Sequence, residues 1–244
     1  MTSWSYRFMT GLVVLAGTRG PALAPQEPPV EAMPRELEVR WELSALPDRL
    51  RDSATAYVLD PARGYVVERT GTNGMSCIIV RSDWQFDLPF RSDIYWPVCY
   101  DVEGSATHLK QYLDAAALRA KGMGGREAHR EILKRFDTAA YRQPAHAGVA
   151  YMLAPLMRGY SGTSSSEIPE TIHLPHYMVY APNVTNKDIG GKYYGQHPFM
   201  LRMSPGHDDV IIFFAGSAEK AQIISESSAL LADLCAYRSF LCIK

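Results

Sequence analysis

ATAYVLDPARGYVVERTGTNGMSCIIVR, residues 54–81, is the stretch on which the fold class turns. Ala54–Leu59, Tyr65–Thr70 and Met75–Arg81 are rich in β-branched and aromatic residues. Between them stand Asp60-Pro61-Ala62-Arg63-Gly64 and Gly71-Thr72-Asn73-Gly74, both of turn composition. Three short runs separated by Gly, Pro, Asn and Asp predict three strands joined by tight turns, an antiparallel meander.

Toward the C-terminus, Ser82–Pro97 reads as a loop carrying Trp84, Phe86, Phe90, Tyr95 and Trp96, and Val98–Val102 as a fourth strand. The period then changes to helical over Ala106–Lys121. Leu109, Leu113, Ala116 and Ala120 share a face there, Ser105 is the expected cap and Gly122 the stop. A second helix is expected over Arg126–Phe136, with Ile132 and Phe136 inward and Glu131–Arg135 as an i,i+4 pair. Gly148–Leu153, Tyr177–Tyr180 and Val210–Phe214 are later strands, and Gly159–Ser166 is a surface loop between them. Ser217 is the expected cap of a last helix whose stripe is Ala221, Ile224, Ser228, Leu231 and Cys235. The fold class that follows is α+β. An antiparallel sheet, made of the N-terminal meander plus later strands, packs with a central helix pair and a C-terminal helix, and residues 25–244 form a single domain.

Toward the N-terminus, Glu36–Leu46 has Leu37, Trp41 and Leu46 at helical spacing, and Pro47 opens a short helical turn. Gln26–Pro34, rich in Pro and Glu, reads as extended and mobile. Residues 1–24 divide into the parts of an export signal: Arg7, an apolar run Phe8–Gly17, and small residues ending Ala22-Leu23-Ala24. The run is about half of the ~20 residues needed to cross a bilayer, so a cleavable signal is expected rather than an anchor. Cleavage would follow Ala22 or Ala24, and the mature chain is expected to be soluble, with no stable membrane insertion, in the periplasm or outside the cell. With 25 basic and 26 acidic residues and no block of like charge, no footprint for nucleic acid is present.

Four cysteines then imply disulfides in an oxidising compartment. Cys77–Cys99 is the expected bond, tying a strand to the segment after the Trp84–Trp96 loop. If the last helix ran unbroken through Cys235 and Cys242, their Cα atoms would be about 10.5 Å apart, beyond the roughly 4.4–6.8 Å that a disulfide spans. That pair could close only where the helix has ended.

Chemistry-bearing motifs are sparse. His173, His176, His197 and His207 fall in one third of the chain. Pro175 forbids a helix interior between the first two, and their odd separation sends them to opposite faces of an extended chain. One of them, with His197, His207 and Asp208, has the nitrogen and carboxylate chemistry to bind a divalent metal such as Zn²⁺. The competing reading is hydrogen-bonded or surface histidines. Ser217-Ala218-Glu219-Lys220 matches S-x-x-K but lacks the accompanying elements of penicillin-recognising enzymes, and Ser217 as an N-cap accounts for it. Gly122-Met123-Gly124-Gly125-Arg126 offers backbone amides and a helix N-terminus to an anion, although a helix-to-helix turn explains the same residues. The aromatic loop could stack a flat ligand or cover the sheet. Asn183-Val184-Thr185 is a glycosylation sequon.

The functional expectation is an exported ligand-binding or accessory protein with Trp84, Trp96 and His176 at its site. The alternatives are a metal-dependent hydrolase using His173, His176, His197, His207 and Asp208, and a structural envelope protein.

Overall fold

The computed structural model describes residues 27–160, 168–191, 198–201 and 210–243. The expected signal segment, with Ala22 and Ala24, lies outside the described residues, as do His197, His207 and Asp208.

The strand-forming runs of the opening stretch are β1 (Thr55–Asp60), β2 (Gly64–Arg69) and β3 (Ser76–Val80). β1 and β2 make the expected antiparallel hairpin. The meander, however, is not completed. β3 lies on the other side of β1 and pairs with it in parallel, Thr55 opposite Ser76 and Ala56 opposite Cys77. The reason is the Gly71–Gly74 segment, which crosses the start of β1 instead of turning back on β2. The backbone amides of Thr72 and Asn73 donate to the Ser53 carbonyl at 2.7 and 3.1 Å, and the Asn73 side chain donates to the Leu50 carbonyl at 2.8 Å. A β-carbon on Gly71 would stand 2.2 Å from the Ser53 carbonyl oxygen, so only glycine fits the crossing.

β4 (Trp96–Tyr100) continues antiparallel to β3, and the remaining strands extend the sheet: β5 (Val149–Met152), β8 (His176–Tyr180), β9 (Phe199–Leu201) and β10 (Val210–Phe214). The order across the eight strands is β2-β1-β3-β4-β5-β8-β10-β9, and β6 (Met157–Gly159) with β7 (Glu170–Ile172) forms a second, two-stranded sheet. The expected α+β class is therefore observed, with a large and mostly antiparallel sheet.

Helices cover both faces. Because strand residues alternate, β3 sends Ile78 and Val80 to one core and Cys77 and Ile79 to the other. The first core is closed by α4 (His108–Ala120) and α5 (Gly125–Asp137), the expected helix pair, through Leu109, Tyr112, Leu118, Ala128 and Ile132. The second is closed by α1 (Arg35–Leu43) and α7 (Ser228–Tyr237) through Leu37, Trp41, Leu230 and Leu234. A short α2 (Asp48–Arg51) follows Pro47 as expected.

Local chemistry moved several boundaries. Val102 is not in the fourth strand: Asp101 ends it by accepting from the Gly104 amide at 2.8 Å, which caps a short α3 (Val102–Ala106). The expected Ser105 cap thus lies inside that helix. The last helix is broken at Ser227 into α6 (Ser217–Glu226) and α7, with Gly216 rather than Ser217 at the N-cap position. The expected stripe shifts accordingly, since Ala221 and Ser228 are exposed and Leu230 and Leu234 are buried. The lead-in before α1 is anchored: Met33 is buried, and the Glu27 carboxylate accepts from the amides of Phe90 and Gly125 at 2.9 Å each. The anion at the α5 N-terminus is thus the chain's own carboxylate.

Both cysteine pairs are bonded. Cys77 and Cys99 face each other in the β3–β4 register. Cys235 and Cys242 close after α7 has ended at Tyr237 and a 3₁₀ turn, Ser239–Leu241, has reversed the chain, leaving their Cα atoms 4.4 Å apart. No described helix is long and apolar enough to cross a membrane.

Candidate functional site

The sheet has one end where β3 and β5 finish and β4 and β8 begin, as the antiparallel registers require. Trp84, Trp96, His173 and His176 all belong to segments at this end. Their surroundings differ. Trp84 is 3% exposed and packs against His129 and Phe136 of α5, at centroid distances of 6.3 and 6.0 Å. Its ring is part of the first core. Trp96 is half-buried. It meets Phe86 edge-on at 6.4 Å, and Phe86 meets Tyr160 at 5.3 Å. The Trp96 indole lies directly on the backbone of Gly159, where a β-carbon would be 1.7 Å from Nε1.

Of the four late histidines, His173 and His176 are among the described residues. His176 follows the face of Met178 and Tyr180 in the first core, with Nδ1 2.7 Å from the Leu174 carbonyl and Phe214 at its edge. Burial lowers its pKa. His173 places Nδ1 2.5 Å from the Pro155 carbonyl, beside Ala154 and Leu156 of the second core. Its Nε2 is buried with no partner among the described residues. No group of three or more His, Cys, Asp or Glu able to hold a metal ion occurs among the described residues.

The same end of the sheet carries a cleft that motif reading does not find. Arg81, Asp83, Phe86, Phe90, Arg91 and Tyr160 line it. It is small, with room for about one water molecule. Its walls are held by Arg119 of α4, which donates to the carbonyls of Arg81, Pro28 and Arg91 at 2.8, 2.9 and 3.1 Å and lies over the Phe90 ring at 4.7 Å. Burial draws the Arg119 pKa down to about 10. A second brace runs from Arg158, at the centre of β6, to Asp93 at 3.0 Å and from Asp93 to Arg91 at 2.7 Å.

Arg81 and Asp83, two of the residues that line the cleft, each carry a buried polar atom without a partner among the described residues. Arg81 is 2% exposed; its guanidinium lies 4.0 Å over the Tyr95 ring of the second core, Nη2 donates to the Glu31 carbonyl at 3.4 Å, and Nη1 is the atom left without a partner. Asp83 accepts from the Gln85 amide through Oδ1 at 3.2 Å, while Oδ2 is buried and unpaired. Removal from water disfavours the carboxylate and pushes Asp83 up to about 7. A carboxyl poised near neutrality in a cleft both donates and accepts hydrogen bonds at working pH, which marks it as a candidate functional group. In the sequence the only trace of this site is charge at the exit of a buried apolar strand: Cys77–Val80 followed by Arg81 and Asp83.

Other buried polar groups lie deeper. Glu38 and Glu42, one turn apart on α1, are 1% and 0% exposed. Desolvation raises Glu38 to about 7 and holds Glu42 well above the carboxylate range. His108, the first residue of α4, sits between the rings of Tyr100 and Tyr180 with neither nitrogen partnered among the described residues.

No protein-family model matches the chain, and neither a curated protein nor a solved structure is similar to it.

Proposed function

We propose that the protein is an exported ligand-binding protein whose site is the cleft at the Arg81, Asp83 and Tyr160 end of the sheet. Export is supported by the Arg7, Phe8–Gly17 and Ala22–Ala24 pattern of residues 1–24 together with two cystine bridges, which persist in oxidising compartments. Binding is supported by one observation above all: Arg81 and Asp83, which both line one aromatic-walled cleft, each carry a buried polar atom with no partner among the described residues. Such groups cost free energy until a partner satisfies them, and a ligand can be that partner. The experiment is a ligand-observed NMR screen of the mature protein against a small-molecule fragment set, repeated on Asp83→Leu. Hits lost in the variant support the reading. Hits insensitive to it, or none at all, end the reading and favour the structural envelope role.

A second reading, a metal-dependent hydrolase, draws on His173, whose Nδ1 sits on a carbonyl and whose Nε2 has no partner among the described residues. That is how a backbone partner fixes a ligating imidazole. His176, His197, His207 and Asp208 would complete such a site with a divalent metal. Metal analysis of the purified mature protein tests it: below a tenth of an equivalent of any transition metal, the hydrolase reading fails.

A further inference from the structure

We infer that residues 27–33 are a strap lying in a groove for an acidic, proline-containing extended peptide, and that a partner protein's segment of the same chemistry takes the groove by displacing the strap. The groove shares Arg81 and Phe90 with the cleft, but it needs no ligand in the cleft.

The occupant shows what the groove recognises. The Glu27 carboxylate accepts from the Gly125 amide at 3.0 and 2.9 Å and from the Phe90 amide at 2.9 Å. These donors converge because α5 starts hard against residues 88–90. A β-carbon on Gly125 would run into the Leu88 carbonyl oxygen, so only glycine brings its amide beside that of Phe90. The positive end of the α5 dipole favours an anion there.

Further along the strap, the Pro28 carbonyl accepts from Arg119 at 2.9 Å. The Glu31 carbonyl accepts from Arg81 at 3.4 Å, and the Glu31 side chain pairs with Arg238. Met33 then enters the second core. Two carboxylates, two backbone carbonyls and an apolar anchor are thus met in order along one extended chain. Proline suits such a ligand, since it presets an extended backbone and has no amide to satisfy; Pro28 and Pro29 hold that place in the strap. A basic segment would set its charges against Arg81, Arg119 and Arg238.

The strap is held lightly enough to leave. None of residues 27–32 is buried, and residues 27–33 make no backbone-to-backbone hydrogen bond among the described residues. The Glu31–Arg238 pair is open to solvent, where ion pairs contribute little. Tethered through Pro34 to α1, the strap refills the groove at an effective concentration on the order of millimolar, which makes it a built-in competitor of any peptide in trans.

The test uses the mature protein and a fluorescent peptide with the sequence of residues 25–33, followed by anisotropy. Glu27→Ala protein, whose strap has lost its carboxylate, should bind the peptide roughly tenfold or more tightly than wild type does. Against that variant, a peptide carrying Glu27→Gln should lose roughly tenfold in affinity. Bound peptide should shift the amide resonances of Phe90 and Gly125. In wild type, those two amides should exchange hydrogen by local opening, faster than Ile78 within β3. The displaceable strap is overturned if the peptide does not bind Glu27→Ala, if the two peptides bind equally, if acetate is as effective as the peptide, or if Phe90 and Gly125 exchange only with global unfolding. Asp83→Leu, which tests the cleft, leaves the contacts of the strap in place, so the groove and the ligand-binding reading fail independently.

Discussion

Gly71 and Ser53 touch backbone to backbone: a β-carbon on Gly71 would lie 2.2 Å from the Ser53 carbonyl oxygen, and that contact is where the chain crosses to the far side of β1. Gly71→Ala must push the crossing away from Ser53 and strain the hydrogen bonds of Thr72 and Asn73 to the same carbonyl. A loss of about 1–3 kcal/mol is expected, read as a lowered urea midpoint. Thr72→Ala, at an exposed neighbour, should leave the midpoint within about 0.5 kcal/mol of wild type.

The two disulfides should be separable by their loops. Cys77–Cys99 closes a separation of 22 residues and Cys235–Cys242 one of 7. Loop-closure entropy assigns them about 3.4 and about 2.5 kcal/mol. Replacing Cys77 and Cys99 together by Ala should therefore destabilise more than replacing Cys235 and Cys242. Equal denaturation midpoints for the two double variants would contradict this.

Glu38 and His108 should bend the pH–stability curve in opposite directions. Glu38 is raised from 4.5 to about 7, so its neutral form belongs to the fold. Its contribution is present below pH 4.5 and is lost as pH rises through about 7. His108 is lowered from 6.5 to about 4. Its contribution is present above pH 6.5 and is lost as pH falls through about 4. Each amounts to about 3 kcal/mol, and across the shared window they offset one another. Because Asp83 and Glu42 are raised as well, Glu38→Gln should make stability fall less steeply with rising pH than in wild type, and His108→Leu should make it fall more steeply. A curve unchanged in either variant would refute the assignment of that group.

The C-terminal turn should communicate with the cleft. Phe240 carries Arg158 over its ring at 4.8 Å, Arg158 holds Asp93, and Asp93 holds Arg91 at the cleft wall. Phe240→Ala should raise amide hydrogen exchange at Tyr95, whose N–H donates to the Arg158 carbonyl at 2.9 Å, and leave exchange at Gly125, held by Glu27, as it was. Unaltered protection at Tyr95 would break the proposed linkage.

Local pattern carried much of the architecture. The strands of residues 54–81, the helix pair after Ser105 and the late strands follow from period and turn composition, because these depend on neighbours a few residues away. Cys77–Cys99 was legible for a related reason: two short strands joined by one loop leave few places for a partner.

Where two distant backbones meet, only the tertiary structure decides. Gly71-Thr72-Asn73-Gly74 has the same composition whether it turns back on β2 or crosses β1, and the Ser53 carbonyl that selects the crossing belongs to another segment. Glu38 and Glu42 read as the polar positions of an amphipathic helix until β1, β3 and α7 enclose α1. Asp83 is likewise an ordinary loop aspartate in the sequence, and its near-neutral carboxyl comes from the rings and helices folded around it. Residue type sets which hydrogen bonds and charges are possible, whereas desolvation, which sets their cost, comes from whatever the remote chain places against them.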